Sequence, residues 1–203
     1  MTPLDAAAFL ELVAGRRGHF RLESGHHGSL WLDLDPLFAD QARIEPFVAQ
    51  LAASLRPHAP TVVCGPLLGG AFLAQLIART LGAQFAFTER FMPSEGDGLY
   101  RARYRLPPAL ATRLRGMRVA IVDDVMSAGS ALRGTCTELE AHDARPVAVG
   151  ALLVLGTAGM EYFAGRGIPV AAVAHDDYTL WEPASCPLCA AGTPLEDMAT
   201  AAA

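Results

Sequence analysis

Two hydrophobic periods alternate along this chain, and the switches between them mark its elements. Continuous apolar runs predict buried strands at Thr61 to Gly65, Gln84 to Thr88, Arg118 to Asp123, Val147 to Leu155 and Ile168 to Ala174. Segments with helical spacing separate them, over Gly70 to Leu81, Ala131 to Ala141 and about Thr157 to Ala164. Upstream, Asp40 to Leu55 also reads as a helix, although Pro46 obscures where it begins. Thr2, followed by Pro3 and Asp5, marks the start of a first helix, with Gly15 as its stop. His19 to Glu23 and Ser29 to Asp35 alternate in the manner of two strands around a Ser24-Gly25 turn. Strands alternating with helices give an α/β fold with a mainly parallel, doubly wound sheet of about five strands, covered on both faces.

In such a sheet, ligands collect beyond the carboxyl ends of the strands. Asp123-Asp124, Gly65 to Gly70, Thr88 to Gly98 and Leu155-Gly156 all fall at such ends. The first is the most informative. There an apolar strand runs into two adjacent carboxylates, then through the small residues of Met126 to Ser130 into a helix. Ala128 and Gly129 leave the backbone N–H groups unobstructed, and the positive end of the helix dipole favours an anion such as a phosphate. Ser127 and Ser130 add hydroxyl donors. Two carboxylates beside a phosphate repel it unless they face something else, such as the vicinal hydroxyls of a sugar with a divalent metal nearby. Ribose 5-phosphate satisfies both halves of the segment. The glycines of Gly65-Pro66-Leu67-Leu68-Gly69-Gly70 would let backbone N–H groups approach further phosphate oxygens, although an ordinary strand-to-helix turn is the competing reading.

Composition narrows the class. The chain has 203 residues, enough for one domain with a sizeable core, and is 52% hydrophobic. No apolar stretch reaches the ~18 residues needed to span a bilayer, because Arg, Asp or Gly interrupts each candidate, and Met1 to Asp5 has no basic region before an apolar core, so the cytoplasm is the expected compartment. A net charge of −5 argues against a nucleic-acid partner. All 16 basic residues are Arg, and Lys is absent.

The Arg118 to Ser130 segment resembles the phosphoribosyl-pyrophosphate (PRPP) signature of the type I phosphoribosyltransferases, and the similarity is greatest to the orotate branch of that family. Gly18-His19-Phe20-Arg21-Leu22-Glu23-Ser24-Gly25 is similar to the family's base-binding stretch, and Cys64 to Ala71 to its pyrophosphate loop. Cys186-Pro187-Leu188-Cys189 through Pro194-Leu195-Glu196 is similar to the tail of a bacterial group of orotate enzymes.

The resemblance implies a single domain over residues 1–203, with 1–40 and about 175–203 forming a hood and tail. PRPP and a nucleobase are the implied substrates, Mg²⁺ the cofactor, and a homodimer the assembly. Asp123 and Asp124 would hold the ribose hydroxyls, and Val125, Met126, Ser127, Ala128, Gly129, Ser130 and Ala131 would surround the 5-phosphate. Pro66, Leu67, Leu68, Gly69 and Gly70 would face pyrophosphate. Phe20, Ser24, Gly25 and His26 would face the base, and no side chain is assigned as a metal ligand.

In the family, a mobile loop matching Phe91 to Gly98 closes over PRPP and brings cations to the leaving group. Its Lys and His would align near Pro93 and Glu95, which leaves Arg90 as the nearby cation and adds it to Asp123 and Asp124 as a catalytic candidate. Glu23 replaces a basic residue before Ser24-Gly25, and Leu155-Gly156 replaces an Asp-Arg pair whose Arg contacts orotate. Three positions facing base or pyrophosphate thus lose positive charge. Arg101, Arg103 and Arg105 are the residues able to restore it.

The remaining polar residues carry less. His26 and His27 are adjacent in an extended segment, point to opposite faces and are poor joint ligands. Cys186 and Cys189 form a lone Cys-x-x-Cys without a second ligand pair nearby, so a zinc site is not expected. Cys64 and Cys136 read as buried thiols, Asp176-Asp177-Tyr178 as a solvated turn, and Trp31 and Trp181 as core or interface aromatics. The leading expectation is phosphoribosyl transfer from PRPP to a pyrimidine-type base, orotate first. A phosphoribosyltransferase for an uncarboxylated base and a non-catalytic PRPP or nucleotide sensor are the alternatives. A nucleotide-binding oxidoreductase is disfavoured, because no strand leads into Gly-x-Gly-x-x-Gly.

Overall fold

The structure is a computed structural model, and it describes residues 4–21, 26–91 and 103–197. The chain begins with α1 (Ala6–Leu12), the hairpin β1 (Arg16–Arg21) and β2 (His27–Trp31), and α2 (Gln41–Leu55). An alternating series follows: β3 (Val62–Pro66), α3 (Gly69–Leu81), β4 (Gln84–Phe91), β5 (Arg103–Arg105), α4 (Pro108–Leu114), β6 (Arg118–Met126), α5 (Ser130–Ala141), β7 (Arg145–Leu155), α6 (Ala158–Ala164) and β8 (Val170–Asp176). The tail adds β9 (Leu180–Trp181), α7 (Pro187–Ala190) and β10 (Glu196–Asp197).

Six strands form the main sheet in the order β5-β4-β3-β6-β7-β8. All its pairings are parallel except that of β5 with β4, so the strand beyond the expected five is an antiparallel edge. Alternate residues of each central strand enter different cores. Val63, Ala120, Val122 and Leu152 pack with residues of α1, α2 and α3, whereas Val62, Cys64, Val119, Ile121 and Val149 pack with residues of α4, α5 and α6. Burial pushes the Cys64 thiol up to about 12, which leaves it protonated and inert at neutral pH.

Local chemistry explains most boundaries. Asp40 caps α2 by accepting from the N–H groups of Ala42 at 3.0 Å and Arg43 at 3.4 Å. Pro46 lies inside that helix, which survives because Ile44, Phe47, Val48, Leu51, Ala52 and Leu55 recur at helical spacing and are buried. Leu51 is fully buried, and truncation to Ala is expected to cost about 2–5 kcal/mol of unfolding free energy, read from a urea titration. The first helix is capped by Asp5, whose carboxylate accepts from Ala8 N–H at 2.9 Å, while Thr2 and Pro3 lie outside the described residues. The hairpin strands both sit earlier than expected, and a bulge between Arg17 and Phe20 buries the consecutive side chains His19 and Phe20.

The second sheet has the order β10-β1-β2-β9, so the tail flanks the N-terminal hairpin on both edges. Arg16 pairs with Glu196 at 2.6 Å, and Arg21 pairs with Asp197. Asp176, expected in a solvated turn, instead ends β8 and binds Arg17 at 2.5 Å, which ties the small sheet to the large one. Among the described residues no helix is long and apolar enough to cross a membrane.

Candidate functional site

The connections from β3 through α3 to β4 and from β6 through α5 to β7 run outward in opposite directions and cover opposite faces. A crevice therefore opens between β3 and β6, beyond their carboxyl ends. The ladders show where it begins. β6 pairs with β3 only from Val119 to Ile121, but with β7 as far as Met126. The strand accordingly runs three residues past its expected end, and Asp123 and Asp124 lie in its second half, beyond the last pairing with β3.

The β3–α3 loop closes directly over these carboxylates. A Cβ added to Gly69 would fall on the Asp124 carboxylate, and one added to Gly70 would come within 2.7 Å of Asp123 Oδ1. Only glycine permits so close an approach. Pro66 has no N–H, and that of Leu67 donates to Thr88 O at 2.9 Å. Neither offers the loop an anion-binding donor. Among the described residues, the N–H groups of Leu68, Gly69 and Gly70 find no backbone acceptor and α3 has no side-chain cap, so these three donors can serve a ligand.

The carboxylates are held by their own backbone. Asp123 Oδ1 accepts from Asp124 N–H at 3.1 Å, and Asp124 Oδ1 accepts from Val125 N–H at 2.7 Å. Burial, followed by repulsion from Asp124, holds Asp123 well above the usual carboxylate range. Burial also raises Asp124, although the Val125 N–H opposes the shift. Among the described residues neither is in an ion pair. Two crowded oxygen acids without a cation form a donor set suited to sugar hydroxyls and to a hard divalent ion such as Mg²⁺.

Past Met126 the chain turns into α5 through Gly129, whose φ is 75°. Among the described residues, the N–H groups of Ala128, Gly129, Ser130 and Ala131 find no backbone acceptor. The loop is braced from the far side by α6, where Gly159 N–H donates to Ser127 O at 3.2 Å. A rigid turn with several free donors at the start of a 12-residue helix can bind a phosphate.

Arg90 stands exposed on β4, opposite Tyr104 on β5. Tyr104 is the residue that the sequence reading missed. Its phenol is raised by burial, lowered by Arg90 and raised by Asp123, so it lies within electrostatic reach of both. Its ring seats against Gly134 of α5, where a Cβ would come within 2.5 Å of it. The signal was the alternation Arg103-Tyr104-Arg105, which sends the tyrosine to the face opposite the arginines.

The base-facing candidates separate. Phe20 is fully buried with the Arg16 guanidinium 5.4 Å from its ring centroid, so it serves as core of the small sheet and has no open face for a base. His26 reaches Glu182 at 3.0 Å. Ser24, Gly25, Glu23, Pro93, Glu95 and Arg101 lie outside the described residues. At the end of β7, Gly156 adopts a left-handed φ of 68° and its N–H donates to Asp176 O at 3.0 Å. An arginine there would be strained.

This geometry agrees with the comparisons. The family model described as a phosphoribosyl transferase domain matches residues 38–161, more than half the chain. The orotate phosphoribosyltransferase of Heliobacterium modesticaldum is 31% identical over 179 residues, 87% of this chain and 86% of that protein. Among solved structures, the orotate phosphoribosyltransferase of Aeropyrum pernix superposes with a TM-score of 0.66 at 22% identity, covering 84% of this chain and 92% of that one. The adenine phosphoribosyltransferase of Thermoanaerobacter pseudethanolicus does so with 0.60 at 19% identity, covering 72% and 88%. Structural likeness at these identities speaks for the fold, and it extends to enzymes named for different bases. With a matching domain over most of the main sheet and a relative above 30% identity along nearly the whole length, this chain belongs to the phosphoribosyltransferase family, a family of pentosyltransferase enzymes.

Proposed function

We propose that the chain transfers the 5-phosphoribosyl group of PRPP to orotate, giving orotidine 5′-monophosphate and pyrophosphate. The observation that carries the reading is the seat of Gly69 and Gly70 against the carboxylates of Asp124 and Asp123. It joins a pyrophosphate-sized set of backbone donors to a pair of hydroxyl acceptors at the mouth of one crevice. The name borne by the bacterial relative supports orotate as the base.

In this reading the ribose 2- and 3-hydroxyls donate to Asp123 and Asp124, which must be ionised to accept them. The N–H groups from Ala128 to Ala131 receive the 5-phosphate, helped by the α5 dipole and the Ser127 and Ser130 hydroxyls. Leu68, Gly69 and Gly70 present N–H donors to the pyrophosphate as its charge develops. Arg90 and Tyr104 border the same space and would orient the leaving group. Bound Mg²⁺ would supply positive charge to the pyrophosphate oxygens, with Asp123 and Asp124 the residues suited to hold it. The base nitrogen attacks the anomeric carbon as pyrophosphate departs, and no covalent enzyme intermediate is required. Positioning and charge stabilisation carry the rate. The exposed apolar side chains Leu68 and Phe72, beside the loop, support a homodimer.

One observation favours a second reading. The strained cost of any arginine at Gly156 and the missing cations at Glu23, Pro93 and Glu95 leave a carboxylated base with fewer partners than the family provides. An uncarboxylated pyrimidine would not need them.

Ligand linkage tests the shared part. PRPP with Mg²⁺, at a hundredfold excess over its dissociation constant, is expected to stabilise the fold by about 2.7 kcal/mol, seen as a rise in unfolding temperature. A flat thermal profile with millimolar PRPP would remove both readings.

A further inference from the structure

Four side chains far apart in sequence converge between the N-terminal hairpin and the tail. They are His19 of β1, His27 of β2, Cys186 at the N-cap of α7 and Cys189 within it, and one donor atom of each lies within 4.8 Å of every other. We propose that they bind one Zn²⁺ in a closed structural site that pins the tail onto the hairpin.

Four of the six separations match the edges of a tetrahedron, and the other two lie within 4.8 Å. Zinc–nitrogen and zinc–sulfur bonds of usual length, at tetrahedral angles, place two nitrogens about 3.3 Å apart and a nitrogen and a sulfur about 3.6 Å apart. Here His19 Nε2 and His27 Nδ1 are 3.1 Å apart. Cys186 Sγ lies 3.4 Å from His19 Nε2, while Cys189 Sγ lies 3.7 Å from His19 Nε2 and 3.3 Å from His27 Nδ1.

A partner outside the four fixes the tautomer of His19. Its Nδ1 lies 2.9 Å from Thr193 O, and a carbonyl only accepts, so Nδ1 carries the proton and Nε2 directs a lone pair at the cluster. A metal-bound histidine is commonly held in this way, and Thr193 is itself part of the tail. His19, His27 and Cys186 are all nearly fully buried. On binding, each thiol releases its proton to solvent and the imidazoles remain neutral. Two thiolates then cancel the charge of the ion, so a buried site is electrically neutral. Two sulfurs and two imidazole nitrogens without an oxygen donor suit zinc and reject Mg²⁺ or Ca²⁺. Four protein ligands leave no open position, which makes the role structural.

The fold gives such a site work to do. β9 and β10 contribute two residues each to the small sheet, too few to hold the tail by ladder pairing alone. His19 lies on β1 and His27 on β2, so a metal would also tie the two paired strands to each other. The expectation that Cys186 and Cys189 lack a second ligand pair is thereby corrected. The pair comes from the other end of the chain, with one histidine from each hairpin strand in place of the adjacent His26 and His27.

The test uses the full-length, untagged chain purified without chelator. Elemental analysis is expected to find about one zinc per chain. Cobalt exchange should give the ligand-field bands of a tetrahedral site with a sulfur-to-cobalt charge-transfer band. Removal by a strong chelator should lower the unfolding temperature by about 5 °C or more, restored by zinc and not by magnesium. The C186S/C189S double variant should lose the metal. If that variant does not fold, the cobalt spectrum of the native chain decides alone. Metal-free protein without a cobalt spectrum, or a Cys186–Cys189 disulfide in freshly purified protein, overturns the proposal.

Discussion

Gly69→Ala is expected to lower kcat/KM for PRPP by about a hundredfold while the far-UV circular dichroism spectrum stays native. The new methyl group would occupy the space of the Asp124 carboxylate, so either that carboxylate or the β3–α3 loop must move. Both are assigned to the same substrate, and a shift of about 1 Å in either spoils the alignment of ribose against pyrophosphate. Alanine is the better helix former at the first position of α3, so a loss of activity would not come from intrinsic helix weakness. Steady-state kinetics checks this. Wild-type kcat/KM in Gly69→Ala would mean that contact between loop and carboxylate does not matter to turnover.

Asp123→Asn should separate function from stability. Activity is expected to fall about ten- to a hundredfold, because an amide replaces the anionic acceptor for a ribose hydroxyl. Stability should move the other way. Burial and repulsion from Asp124 raise Asp123 in the folded state, so the folded protein holds its proton more tightly than the unfolded chain does. The stability this group contributes is complete below the unfolded carboxylate range and is lost as pH rises through the raised folded value. Above the unfolded carboxylate range the wild type therefore carries the cost of burying this acid beside Asp124, and the amide removes it. Its oxygen can still accept from Asp124 N–H. Thermal unfolding at pH 8 should show the variant more stable than wild type, with the difference shrinking as pH falls. The exposed Asp143→Asn serves as a control, since Asp143 sits at φ 59°, a conformation asparagine tolerates. Equal losses of activity in Asp123→Asn and Asp143→Asn would contradict the site.

The sequence made the parallel sheet and the acidic segment legible because both are local signals. Continuous apolar runs report strands buried on two faces, and a strand ending in two carboxylates before small residues has few purely structural uses. Boundaries were less visible wherever a neighbour sets them. Nothing local to Val125 and Met126 says that β7 continues to pair with them beyond the end of the β3 ladder. β9 and β10 are two-residue strands that exist only through their partners, and α4, preceded by Pro107, carries just Ala111 and Leu114 as buried anchors. Phe20 was assigned to the base from resemblance, but the bulge that buries it with His19 is a tertiary feature. The four-donor cluster stayed hidden for the same reason, since 167 positions separate His19 from Cys186.

The direct test of the account is pyrophosphate release from PRPP, followed with orotate, uracil and other bases, with and without Mg²⁺. Release is expected to depend on Mg²⁺, to be fastest with orotate and to yield orotidine 5′-monophosphate, with Arg90 supplying charge to the substrates. Faster turnover of an uncarboxylated base would contradict the orotate assignment, and PRPP binding without release for any base would contradict the enzyme itself.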